Sequence, residues 1–197
     1  MQLNPPKEPE EFFIWLKKES ERFWEKDRID HAVYGFQIQK GTKWNPPLNE
    51  TQVAEYESEL GFRFPEMYRT FLQHMNGTDK LALNVYGECG EPYRYAPEYY
   101  SYPRDLRLVK EMVEWICESF KIEVADIDGD KIPFLLPIVS HRILIVDKAD
   151  KNPVLSMYGD DVIPIAYSLK TFLVNDIFRG HMQENNLPCV SLEFWLE

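Results

Sequence analysis

Cysteine is scarce here and badly placed for chemistry. The three cysteines, Cys89, Cys117 and Cys189, are odd in number, far apart and form no CxxC. The four histidines (His31, His74, His141, His181) have no ligand spacing. A disulfide framework and a zinc site are therefore not expected, and no metal or cofactor site is assigned; idle thiols in a reducing cytosol fit better. Long apolar runs are missing too. No window approaches the ~20 residues that span a bilayer. Met1 to Glu11 is polar and proline-rich, without the apolar region of a signal peptide, so a cytoplasmic location is expected. Positive charge is in short supply: 22 basic against 33 acidic side chains give a net charge of -11. That balance disfavours nucleic-acid or anionic-membrane binding and suits a basic protein partner.

Catalytic motifs are equally thin. No GxSxG is present, and "GECGEP" lacks the spacing and following helix of a phosphate loop. "DIDGD" (Asp126 to Asp130) starts like a calcium loop but places Lys131 where glycine is needed and Pro137 where the bidentate glutamate belongs. It reads as an acidic turn.

What is present is strong helical punctuation. Asn49 can cap a helix, with Gln52 reaching back as a capping box and Leu48 and Val53 as a hydrophobic staple. Val53, Tyr56 and Leu60 share one face, and Gly61 can close the helix in the left-handed region. Pro65 suits the first turn of a second helix, whose core stripe of Met67, Phe71 and Met75 runs to Asn76-Gly77.

Further helices are expected over Pro9 to Lys26, over Arg104 to Phe120 with Leu108, Met112, Ile116 and Phe120 inward, and from a Ser168 cap to Phe178, closed by Gly180. Strand character is expected near Val33 to Ile38 and over Leu81 to Tyr86, with Gly87 to Arg104 a loop. Arg142 to Asp147 is continuously apolar, as in a strand covered on both faces. "PVLSMY" and "DVIPIA" form a hairpin around Gly159-Asp160, of type II′, with Pro164 marking an edge or a bend. The tail "CVSLEFWLE" alternates enough to add a strand. Helices before and after a block of strands indicate an α+β fold.

Two sets of residues are candidates for function. "PYRYAPEYYSYP" holds Tyr93, Arg94, Tyr95, Tyr99, Tyr100 and Tyr102, residue types enriched at interface hot spots. The other reading of this segment is a loop folded onto its own domain. Asp160 and Asp161 can steer a basic partner, although a tight turn also explains them. A hydrolase using His141 with Asp160 or Asp161 is the weakest alternative, because the sequence supplies no partner for the base.

The stretch "YGFQIQKGTKWNPPLNETQVAEYESELGFRFPEMYRTFLQHMNGTD" resembles the N-terminal signature of the SUKH superfamily, which includes the yeast cell-wall-assembly-regulator family. Trp44, Leu60, Gly61, Phe64, Pro65, Tyr68, Leu72, Asn76 and Gly77 carry the resemblance. The second half adds His141-Arg142, Asn152-Pro153-Val154, Ser156 and Asp161, with Ser140 where many relatives have glycine. The resemblance covers Tyr34 to Phe178. It implies a single α+β domain (34–178) with a mixed or mostly antiparallel sheet flanked by helices. An N-terminal helical extension (1–33) would pack on it, and a C-terminal extension (179–197) would follow. It also implies a non-catalytic protein-binding role. One form is an immunity protein neutralising a polymorphic toxin, often a nuclease; the alternative is a regulatory or scaffold module binding an endogenous protein.

Overall fold

A computed structural model describes residues 3–32, 35–85, 94–147, 152–179 and 194–196. The helical pair forms as its punctuation dictates. Helix α2 (Glu50–Leu60) has a complete capping box between Asn49 and Gln52, and Gly61 ends it at φ 82°. Glu57 then ties the helix to the next step. Its carboxylate accepts the Phe64 N–H at 2.8 Å and pairs with Arg69 at 2.6 Å. Helix α3 (Glu66–Leu72) is shorter than its apolar stripe suggests. Met75 is fully buried, but it lies in the turn after the helix.

Helix α1 (Pro9–Trp24) buries Phe12, Phe13, Leu16 and Trp24 in the same core as α2 and α3. Trp44 joins them. Its ring sits 5.2 Å from Trp24, 5.7 Å from Phe71 and 4.8 Å from Tyr99, and its indole N–H donates to Ser20 Oγ at 2.7 Å.

Two antiparallel sheets complete the domain. Short strands β1 (Phe36–Gln37), β2 (Ala82–Asn84) and β3 (Arg94–Ala96) form the first, in that order. The segment expected to be loop thus supplies β3. The second is a meander of β4 (Phe134–Val139), β5 (Arg142–Val146), β6 (Val154–Tyr158) and β7 (Asp161–Ala166). Strand β4 was hidden by Pro137 within it and Pro133 just before it. Pro137 is tolerated because β4 is an end strand of this sheet and bulges there. Pro164 likewise falls on the other end strand, β7. The chain just after β3 joins the sheets: Tyr99 bridges Val139, and the Tyr100 N–H donates to the Ile138 carbonyl at 3.3 Å.

The meander is covered on both faces, so its side chains alternate between two cores. Leu136, Ile138, Leu144 and Val154 pack toward the cluster built with α1, α3 and helix α5 (Leu169–Ile177). Leu135, Ile143, Ile145, Leu155 and Met157 pack with Ile116 of helix α4 (Leu106–Phe120) and with Trp195. The β6–β7 hairpin pairs Tyr158 with Asp161, with Gly159 at φ 63° and Asp160 at negative φ, as a type II′ turn requires. Ser168 caps α5 through the Thr171 N–H. Residues 194–196 form a turn rather than a strand; the rest of the proposed tail strand, with Gly180, lies outside the described residues. No helix among the described residues is long and apolar enough to cross a membrane.

Candidate functional site

The conformation of residues 98–102 is set by Asn76-Gly77. The Asn76 side chain donates to the Tyr102 carbonyl at 2.6 Å and accepts the Tyr102 N–H at 2.9 Å, completing both backbone groups. Gly77, at φ 62°, passes so close that a β-carbon there would stand 2.7 Å from the Tyr100 backbone. The chain is pinned, and what it pins is the floor of a cleft.

That cleft, of about 710 Å³, opens between α4 and the junction of the two sheets. Leu108, Glu111, Met112 and Trp115 form its α4 wall, at spacings that share one helical face. Leu108 and Met112 are thus only half-buried, where the sequence suggested full core positions. His141, Arg142 and Tyr158 form the opposite side, and Glu98, Tyr100 and Asp176 lie along the base. A smaller cleft of about 310 Å³ shares Glu98 and Asp176 and is also lined by Asp27 and Asp30.

The base is electrostatically unusual. Burial pushes the Glu98 carboxyl up to about 8, reinforced by Asp176 and opposed by Arg142. Asp176 is an exposed residue that lines the cleft, and its carboxyl is nevertheless partly desolvated. That desolvation raises its pKa, against a hydrogen bond donated by the Tyr99 hydroxyl. Burial pushes the Tyr100 hydroxyl up to about 12, and it donates to the Ser140 carbonyl at 3.1 Å. His141 is held below the usual imidazole range by desolvation and by the Arg142 charge. The Arg142 guanidinium meets His141 Nε2 and reaches Ser156 Oγ at 2.5 Å. Ser140, at φ 46°, makes the tight β4–β5 turn that aims these two side chains, a left-handed position that glycine would occupy without strain.

The residues singled out in the sequence fall into different places. Tyr93 lies outside the described residues, and of Arg94 only the backbone, in β3, is described. Tyr95 is 55% exposed. Tyr99 and Tyr100 are buried, and Tyr102 is half-buried and stacks on Tyr56 at 4.6 Å. These three pack on their own domain. Asp160 and Asp161 are exposed at the tip of the β6–β7 hairpin. His141 turns its ring nitrogens to Ser140 and Arg142, not to either aspartate. In "DIDGD", Asp128 accepts the N–H groups of Asp130 and Lys131, which makes it the acidic turn expected. No group of metal-ligating side chains occurs among the described residues. Cys117 is buried, and burial pushes its thiol up to about 11. Cys89 and Cys189 lie outside the described residues.

The sequence reading missed Glu98, Trp115, Tyr158 and Asp176. Glu98 stood inside the tyrosine-rich segment, the one acidic side chain between Pro97 and Pro103. Trp115 borders the apolar face of its helix. Tyr158 is 68% exposed, and its ring meets Trp115 at 5.1 Å and His141 at 6.0 Å. Nothing local marks Asp176.

A family model described as the SMI1 / KNR4 family (SUKH-1) matches residues 47–175. The match runs from just before α2 into α5, taking in the α4 wall, the pinned floor and the β4–β7 meander. Neither the curated proteins nor the solved structures hold a match to the chain.

Proposed function

Because the chain belongs to the SMI1 / KNR4 family (SUKH-1), we propose that it is a non-catalytic protein-binding domain. Specifically, it acts in the cytoplasm as an immunity-type protein, blocking a basic toxin domain by seating part of it in the cleft. The observation that carries this reading is the cleft itself. It is open, its floor is fixed by the fold, and it combines aromatic side chains with acidic groups. Trp115 and Tyr158 present large aromatic surface at its edge, and Arg142 is the third residue type that dominates interface hot spots. Ile163, 51% exposed on β7, and the Asp160–Asp161 tip extend the same side of the domain. With a net charge of -11, the protein would draw a basic partner toward this face.

Tyr95, Tyr100, Asp160 and Asp161 remain in the proposed surface. Tyr99 and Tyr102 serve it by holding the floor. The nitrogens of His141 are occupied by neighbours, which supports a positioning role over a base.

The test is co-expression with a toxin encoded beside this chain. Protection together with a purified complex supports immunity. A complex with an endogenous protein and no protection would replace it with the regulatory reading. Neither complex nor protection would end both.

A further inference from the structure

Two carboxyls from different elements converge at the base of the cleft, Glu98 from the segment after β3 and Asp176 from α5. Both also line the smaller cleft, so they stand where the two recesses meet. Among the described residues neither forms an ion pair. Arg142 acts on both carboxyls through its charge but turns its Nη1 to His141 and Ser156, and Arg179, which lines the smaller cleft, is paired with Asp27. Asp176 receives a single hydrogen bond, from the Tyr99 hydroxyl, which fixes its orientation and leaves the other oxygen open. Tyr100 and Phe36 supply aromatic surface beside the pair.

We propose that Glu98 and Asp176 form a socket for one guanidinium group, supplied by an arginine side chain of the protein partner. The proposal rests on the binding reading above and names the anchor that reading lacked. A guanidinium offers five N–H donors in a planar fork, so it can bond two carboxylates from different directions while its faces lie against aromatic rings. Lysine has a compact charge without that fork. Two partly desolvated carboxyls side by side repel, and one cation between them removes the repulsion and completes their hydrogen bonding.

The energetic consequence has a signature. The free Glu98 is largely protonated near neutrality, whereas a bound guanidinium needs the carboxylate. Binding must then release a proton below about pH 8 and tighten as pH rises toward that value. The groups facing Glu98 are Asp176 from α5, Glu111 from α4, and Arg142 and His141 from the β4–β5 turn and β5, with Asp27, Asp30 and Arg179 across the smaller cleft, where Arg179 pairs with Asp27. Glu111 is paired with Arg107, and His141 is already held toward its neutral form, so Glu98 dominates this window.

The experiment titrates the full chain with Nα-acetyl-arginine amide and, separately, with the neutral isostere Nα-acetyl-citrulline amide, following carboxyl and backbone NMR signals. Saturable shifts at Glu98 and Asp176 with the arginine compound alone, lost in Glu98→Gln and in Asp176→Asn, are expected. Equal binding of the citrulline compound, or no saturation by either, would overturn the socket. Two variants guard against one failing to fold, and Asp176→Asn keeps an acceptor for Tyr99. A second arm uses the toxin domain. Glu98→Gln should lose at least about tenfold in affinity, and the loss should shrink toward pH 6. A toxin bound equally by wild type and Glu98→Gln would sink the socket and leave the interface standing. Arginine binding without toxin binding would do the reverse.

Discussion

Gly77→Ala tests whether the Asn76-Gly77 clamp sets the cleft floor. Gly77 sits at φ 62°, and a β-carbon there lies 2.7 Å from Ser101 Cβ and from the Tyr100 carbonyl carbon and oxygen. The left-handed backbone costs an alanine about 1–2 kcal/mol, and overpacking adds about 1–3 kcal/mol. The opposing chain cannot move aside cheaply. Asn76 holds Tyr102 through two hydrogen bonds, Asp105 accepts the Ser101 N–H at 2.8 Å, and Tyr100 is bonded to β4. Gly61→Ala is the internal control. Its φ is 82°, yet nothing lies within 4 Å of the added carbon. Both substitutions gain the same ~0.4–1 kcal/mol from a stiffer unfolded chain, so the difference isolates the close approach. Urea unfolding followed by tryptophan fluorescence should place Gly77→Ala about 1–3 kcal/mol below Gly61→Ala. Equal stabilities, within about 0.5 kcal/mol, would refute the clamp.

Other expectations follow from the same geometry. Gly61→Val should lower stability by roughly 1 kcal/mol or more, since a β-branched residue must take a left-handed cap. Asn76→Ala removes both partners of the Tyr102 N–H and carbonyl, at a half-buried residue, and should cost about 1–3 kcal/mol by denaturant melt; a loss within error would contradict the pinning. Tyr99→Ala, at a 2% exposed position against Trp44 and Trp24, should cost about 3–5 kcal/mol. Tyr95→Ala, at an exposed site, should stay within about 0.5 kcal/mol of wild type. Because the Glu98 carboxyl is raised in the folded state from 4.5 to about 8, the stability linked to it is complete below pH 4.5 and is lost as pH rises through about 8. Glu98→Gln should therefore gain in relative stability across that window, and a flat difference between pH 4.5 and 8 would remove the desolvated carboxyl from the description.

Much of the fold was legible because it is written locally. The capping box, Gly61, Ser168 and the Gly159 hairpin each act within a few residues, and each appears in its expected conformation. The continuous run of β5 gave away its double coverage, which the alternation of Ile143 and Ile145 against Leu144 now explains. Strand β4 was obscured because proline opposes strand pairing except at a sheet's end or a bulge, and neither is visible before the sheet is assembled. The cleft was illegible for a related reason. Glu98 and Asp176 meet from positions far apart in the chain, and no local pattern records that meeting. Tyrosine enrichment drew attention to the right segment but not to its orientation. Tyr99 and Tyr100 turn inward because Asn76-Gly77, read in the sequence as a helix stop and part of the family signature, clamps the backbone between them and Tyr102.

The central claim is that this domain works by binding a partner protein in the cleft between α4 and the sheet junction. It is tested most directly by titrating the partner protein recovered by co-expression into wild type, Trp115→Ala and Tyr158→Ala, with a melting curve for each. Both aromatic side chains stand at the cleft edge, and Tyr158 is exposed enough for truncation to leave folding intact. Binding by wild type, with each variant folded but weakened by about 2 kcal/mol or some thirtyfold, is the expected result. Folded variants that bind that partner as tightly as wild type would contradict it.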